Sequence, residues 1–206
     1  MSLSYKVVVV GGGPGGYVAA IRAAQLGARV ALVEKEELGG TCLNRGCIPT
    51  KVLAAGAALY ADICRAADFG IETGTVKLGF NRLMERKSQV VRRLVQGIDY
   101  LLKKNKVDLF RGTARLLAPG RVKVEGPDVA LIELAAENII LATGTDPALI
   151  PSLGYDGKQV ITSDEALELD SVPERLVVIG GGVIGCEFAS IFAALGAQVT
   201  IVEIMP

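Results

Sequence analysis

Cys42 and Cys47 stand five positions apart in GGTCLNRGCIPTK, residues 39–51, between a double glycine and a proline. Two thiols this close suit either a metal site or redox work. A zinc site needs two further nitrogen or sulfur ligands at matching spacing. The chain has four cysteines and no histidine, and the other two, Cys64 and Cys186, stand alone. No metal ligand set is expected. A redox pair is the sharper reading of the motif, and two inert reduced thiols the plain one.

Something must position such a pair, and the composition bounds what. The 206 residues are 50% hydrophobic, with 25 glycines and 22 basic against 22 acidic side chains, the balance of a globular α/β protein. Zero net charge gives no electrostatic case for nucleic acid or for an anionic membrane surface. Small-molecule partners are expected instead. The start, MSLSYKVVVV, runs straight into a strand pattern without a signal-peptide core, and the apolar stretch from Phe188 to Val202 is too short to span a bilayer. The expected location is the cytoplasm, where a cysteine pair is more often catalytic than structural.

An internal repeat organises the chain. A shift of 169 positions lays KVVVVGGGPGGYVAAIRAAQLGARVALVE, Lys6 to Glu34, on RLVVIGGGVIGCEFASIFAALGAQVTIVE, Arg175 to Glu203, with about half the positions identical. Each copy reads as a buried strand, a glycine-rich turn, an alanine-rich helix and a second strand closed by glutamate. Gly11 makes the tight turn, Gly13 admits a pyrophosphate, and Gly16 lets the helix pack close to the strand; Gly180, Gly182 and Gly185 match them. The helix N-terminus favours an anion. Glu34 and Glu203 can accept hydrogen bonds from ribose hydroxyls.

Between the copies, residues 50–68 favour a helix carrying Cys64 as a small buried hydrophobe. Leu83, Val90, Val91, Leu94, Val95, Ile98, Leu101 and Leu102 fall at helical spacing from Arg82 to Lys104, with a basic face left to solvent. The apolar segments VDLFRGTARLLA, RVKVEG and VALIELAAENIILATG predict a small antiparallel β-meander and a return strand into the first sheet. TGTDPALIPSLGYDG reads as a linker.

In this order, GGGPGG, GGTCLNRGCIPTK, the ATG of Ala142, Thr143 and Gly144, and GGGVIG resemble the flavoprotein disulfide reductases, most of all those of the dihydrolipoamide dehydrogenase type. The resemblance covers nearly the whole chain. It implies a Rossmann-like fold with a parallel sheet, an FAD-binding domain over residues 1–145, and a linker with the first βαβ unit of an NAD-binding domain over 146–206. It also implies that Cys42 and Cys47 form a redox-active disulfide beside the flavin, Cys42 exchanging with substrate and Cys47 facing the ring. A helix beginning near Cys47, together with the cation of Lys51, would favour a thiolate there.

By the same resemblance, Lys51 and Glu187 pair near the reactive edge of the flavin. Gly11, Gly13, Pro14, Gly15, Gly16, Glu34, Lys35, Gly40, Thr41, Cys42, Lys51, Ala114, Ala142, Thr143 and Gly144 would line FAD. Gly180, Gly181, Gly182, Val183, Ile184, Gly185 and Glu203 would line NAD. Cys186 reads as packing. The implied reaction oxidises dihydrolipoyl groups of 2-oxo acid dehydrogenase or glycine cleavage complexes, in a homodimer. Two departures stand out: the family's histidine has no counterpart here, and the chain stops at IVEIMP. Both lead to the expectation of an amino-terminal fragment, inactive alone. Alternatives are a reductase of the glutathione or mercuric type, which usually prefers NADPH, and a non-catalytic dinucleotide-binding redox sensor.

Overall fold

The computed structural model describes residues 3–126 and 129–204. In chain order the elements are β1 (Leu3–Val10), α1 (Pro14–Gln25), β2 (Val30–Glu34), α2 (Gly40–Arg45), α3 (Cys47–Cys64), α4 (Phe80–Lys104), β3 (Asp108–Arg111), β4 (Thr113–Ala118), β5 (Arg121–Gly126), β6 (Val129–Leu141), α5 (Ser163–Ala166), β7 (Arg175–Ile179), α6 (Val183–Ala194) and β8 (Gln198–Val202). They group into two compact units, Met1–Asn44 with Val91–Asp146, and Arg45–Val90 with Pro147–Pro206.

The first unit holds a six-stranded sheet in the order β3-β2-β1-β6-β5-β4. Strands β3, β2, β1 and β6 are parallel, while β5 and β4 add to β6 antiparallel. The return strand and the last strand of the meander are thus one element: the first half of β6 pairs with β5, and β1 runs along it from Leu3↔Leu134 to Val10↔Leu141. The stretch VDLFRGTARLLA, read as one segment, is two strands that serve different neighbours. Gly112 separates them, and a Cβ there would lie 2.4 Å from the Glu125 carbonyl oxygen. A glycine inside a strand pattern is the mark of such a close backbone approach.

Strand β2 is buried along its whole length, as a strand covered on both faces must be. Its Ala31 and Val33 join Tyr5, Val8, Val122, Val124 and Leu134 in one core. At the edge of that core Tyr5 packs edge-on against Phe110 and under the Arg29 guanidinium, and its hydroxyl donates to Asp108 at 2.9 Å. Burial first, then the hydrogen bond to Asp108 and its negative charge, push the phenol up to about 12 from its ordinary value of 10.0. A raised phenol pKa means that the neutral ring stabilises the fold up to pH 10, and that this contribution is lost as pH rises toward 12. The full shift corresponds to less than ~3 kcal/mol, and Asp108 is half exposed, so screening leaves about 1–2 kcal/mol. Urea midpoints of wild type and Tyr5→Phe should therefore converge between pH 10 and 12. A gap that stays constant across that range would remove Tyr5 as the cause.

The second unit has its own core, in which Leu53 and Ala57 of α3 meet Phe188, Ile191 and Phe192 of α6, with Leu167 and Leu195. Each large side chain buried this way contributes about 1.5–3 kcal/mol. That packing explains why residues 45–90 group with the second unit, whereas the reading by domains keeps them with residues 1–145. By length and composition Gly40–Cys64 is apolar enough to cross a membrane, and part of that apolar character serves this core. Lys87 of α4 is buried here, its Nζ donating to the Leu167 carbonyl and to Glu168 Oε1. On α4 the expected apolar stripe is narrower than its sequence pattern: Ile98 and Leu102 are buried, Leu94 and Leu101 exposed. Cys64, expected to be buried, is exposed at the end of α3, because its turn lies beyond the contact with α6.

Candidate functional site

The first glycine-rich turn lies at the carboxyl end of β1. Gly11 has φ +105, and a Cβ there would sit 2.1 Å from the Ala142 carbonyl oxygen. The main chain of the ATG segment therefore closes on the turn, and the Ala142 N–H donates to the Val10 carbonyl at 2.8 Å. Gly16 is tighter still: a Cβ on it would lie 1.7 Å from the Gly11 carbonyl oxygen, so α1 is brought hard against the turn. Helix α1 begins at Pro14 after Gly13, without a side-chain cap and without an acidic residue in its first turn. Its end is thus left for an anion.

The cysteine motif is tied to this turn by main-chain contacts. The Gly39 N–H donates to the Gly12 carbonyl at 2.9 Å, and Gly40, at φ +58, faces Gly13 so closely that a Cβ would lie 2.6 Å from the Gly13 Cα. The double glycine before Thr41 thus has a physical reason. Thr41 Oγ1 donates to the Thr145 carbonyl at 3.3 Å, beside the exposed Thr143 and Gly144. Asn44, which carries no signature in the sequence pattern, donates its amide to the carbonyls of Leu38 and Gly40, each at 3.0 Å. These bonds fix α2, on which Cys42 is half-buried.

Cys47 opens α3, as expected of a helix beginning near it, and is exposed. The Gly46 carbonyl before it accepts from both the Thr50 N–H (3.1 Å) and Thr50 Oγ1 (2.7 Å), and Thr50 is buried. Arg45 pairs with Asp164 at 3.6 Å. Asp164 lies in the first turn of α5, where Glu165 and Thr162 form a capping box. The hydroxyl and N–H of Thr162 hold the Glu165 carboxyl down to about 2, with Tyr155 adding a hydrogen bond. None of these partners was readable, since each lies over a hundred positions from the motif or carries no signature of its own. Lys51 and Glu187 lie on α3 and α6 and are both exposed; among the described residues neither closes an ion pair within 4.0 Å, so the expected Lys51–Glu187 pair is not formed. Exposed pairs of long side chains gain little by closing.

The second repeat reproduces the first in backbone detail. Gly180 has φ +105 like Gly11, Gly182 has φ −69 and ψ 179 against −74 and −175 for Gly13, and α6 starts at Val183 as α1 starts at Pro14. A Cβ on Gly185 would lie 2.1 Å from the Gly180 carbonyl oxygen. Both glutamates face their turns. Glu34 Oε2 accepts from the Gly12 N–H at 2.6 Å, and Glu203 Oε2 from the Gly181 N–H at 2.6 Å. Val183 and Ile184 are exposed at the start of α6. Cys186 is exposed too, not packed, and its thiol donates to the Gly181 carbonyl at 3.1 Å. In the first unit Lys35 is exposed beside Glu36, and Ala114 of β4 stands opposite Val124 against the core.

Comparisons with known proteins agree with this arrangement. The family model for pyridine nucleotide-disulphide oxidoreductases matches residues 5–206. A dihydrolipoyl dehydrogenase of Bacillus subtilis (strain 168) is 46% identical over 211 residues, covering 98% of this chain and 44% of that protein. One of Trypanosoma brucei brucei is 48% identical over 205 residues, covering 98% and 43%. The chain therefore spans less than half the length of these relatives. Among solved structures, the Cu(II) complex of the HOCl-induced flavoprotein disulfide reductase RclA from Escherichia coli superposes with a TM-score of 0.81 at 32% identity, over 98% of this chain and 43% of that one.

Proposed function

Since the chain belongs to the pyridine nucleotide-disulphide oxidoreductase family, we propose that the full-length protein is a dihydrolipoyl dehydrogenase, passing two electrons from a dihydrolipoyl dithiol through a Cys42–Cys47 disulfide and FAD to NAD. The observation that carries this reading is the main-chain tie between the cysteine motif and the first dinucleotide turn, Gly39 N–H to Gly12 carbonyl at 2.9 Å. It is supported by relatives of that name at 46% and 48% identity.

FAD fits the first repeat, where the uncapped end of α1 and the Cβ-free cradle of Gly11, Gly13 and Gly40 suit a pyrophosphate. Bound there, the flavin would link dithiol oxidation to hydride transfer, which no side chain does. The protein's own part is thiol–disulfide exchange. One substrate thiolate attacks Cys42 Sγ and releases Cys47 as thiolate; the second substrate thiolate then attacks the mixed disulfide, so that the substrate leaves as a disulfide and both cysteines are left reduced. Gly11, Gly13, Pro14, Gly15, Gly16, Glu34, Lys35, Gly40, Thr41, Ala114, Ala142, Thr143 and Gly144 serve the flavin side, with Lys51 and Glu187 toward the reactive end. Gly180, Gly181, Gly182, Val183, Ile184, Gly185 and Glu203 serve NAD, and the charge of Glu203 disfavours a 2′-phosphate. In this reading residues 1–145 bind FAD, residues 146–206 begin the NAD-binding domain, and the full-length protein works in the cytoplasm as a homodimer on lipoyl groups of 2-oxo acid dehydrogenase or glycine cleavage complexes.

Thiol titration of the flavin-loaded full-length protein, with and without NADH under anaerobic conditions, tests this. Two additional thiols and a changed flavin spectrum are expected. No new thiols on NADH addition would leave a dinucleotide-binding redox sensor in place of the enzyme.

A further inference from the structure

In both repeats one carboxylate oxygen of the closing glutamate holds the glycine-rich turn, and the other accepts from the main chain just past the glutamate. Glu34 accepts from the Gly12 N–H at 2.6 Å and the Glu36 N–H at 2.8 Å. Glu203 accepts from the Gly181 N–H at 2.6 Å and the Ile204 N–H at 2.7 Å. Gly12 and Gly181 are the middle glycines of their turns, the ones between the residue at φ +105 and the residue that opens the helix. A Cβ on Gly12 would approach Glu34 Oε2 to 3.0 Å, and one on Gly181 would approach Glu203 Oε2 to 3.3 Å, so turn and carboxylate are in direct contact in each copy. The contact between carboxylate and middle glycine recurs in two units of different burial, Glu34 buried and Glu203 exposed, which makes it a property of the motif and not of the surroundings.

We propose that Glu34 and Glu203 are positioning residues for the pyrophosphate, each fixing its glycine-rich turn in the anion-receiving shape, in addition to any contact with ribose. An ionised carboxylate is acceptor-only and can receive both N–H groups, whereas an amide presents a donor to one of them. Such charge-assisted bonds are short and strong. At Glu203 nucleotide choice and phosphate affinity therefore share one side chain: a substitution that relieves repulsion of a 2′-phosphate also loosens the turn that must hold the pyrophosphate. Replacing Glu203 lowers affinity for NADH without producing a matching gain for NADPH.

This rests on the reading of the second repeat as the NAD site, and the test separates the two. Binding to the full-length protein is measured for NADH, for NADPH and for an NADH analogue lacking both hydroxyls of the adenosine ribose, in wild type, Glu203→Ala and Glu203→Gln. A glutamate that touched only ribose would leave the analogue's affinity unchanged by either substitution. The expected result is a loss of about tenfold for the analogue in Glu203→Ala, or about 1.4 kcal/mol, with NADPH no tighter than in wild type. Hydrogen exchange of the Gly181 amide in Glu203→Gln, which preserves side-chain volume, should quicken by about tenfold in the unliganded protein. Equal binding of the analogue by wild type and variants, or unchanged Gly181 exchange, overturns the proposal alone. Failure of wild type to bind NADH overturns the nucleotide reading and the proposal with it.

Discussion

Cys42→Ser and Cys47→Ser, made separately in the full-length protein, should each lower NADH-linked lipoamide turnover by at least about a thousandfold while flavin content stays at the wild-type level. A serine hydroxyl neither ionises near neutral pH nor forms a disulfide, so either substitution removes the covalent relay entirely. Flavin retention is expected because the contacts that build the cradle are main-chain: the Gly39 to Gly12 bond, the Ala142 to Val10 bond and the close pair of Gly13 and Gly40. Neither sulfur takes part in them. Steady-state rates and the ratio of flavin to protein absorbance check both halves, and normal turnover in either variant would sink the disulfide mechanism.

The second large effect is on folding. Gly16→Ala would put a methyl group 1.7 Å from the Gly11 carbonyl oxygen and 2.9 Å from the Gly11 carbonyl carbon. Both are backbone atoms that no rotamer change can move, so α1 must shift away from β1 and the turn must open. A loss of more than about 3 kcal/mol is expected, beyond the usual range for overpacking, together with the flavin. Gly27→Ala is the contrasting change. Gly27 has φ +88 with nothing within 4 Å of a Cβ, so only the left-handed backbone resists, at about 1–2 kcal/mol. Chemical unfolding and flavin absorbance of both variants decide the matter: similar midpoints would mean that close packing of helix on turn is not what Gly16 provides.

Backbone requirements wrote themselves plainly into the sequence. Gly11, Gly16, Gly180 and Gly185 are placed where a side chain collides with main chain or the backbone turns left-handed, and such positions leave a fixed spacing that recurs 169 residues later. The long helix with Ile98 and Leu102 was equally legible, because burial of one face imposes a period. Encounters between distant side chains left no such trace. Nothing around Lys87 announces a partner at Leu167 and Glu168, nothing marks Arg45 for Asp164, and Tyr5 finds Asp108 only because β2 stands between β1 and β3. The Lys51–Glu187 pair is implied by the family pattern alone, and two exposed side chains on neighbouring helices have little driving force to close it. The division of VDLFRGTARLLA at Gly112 was signalled by the glycine itself, which the strand pattern on either side obscured.

The pairing of β1 with β6 also sets the order of events at the ribosome. Lys6 and Glu137, which face each other across these strands, are 131 positions apart. At the usual elongation rate of about 5–20 residues per second, β1 waits on the order of ten seconds for the partner that covers one of its edges. During that interval the nascent chain carries KVVVV as an open strand edge, a template for pairing with any neighbouring chain. A strand pairing across so large a sequence separation closes late and slowly. The early strands of this fold must therefore be shielded during synthesis, and in a chain stopped before β6 the fully buried Val8 and Val9 would keep that edge unpaired however long it was left to fold.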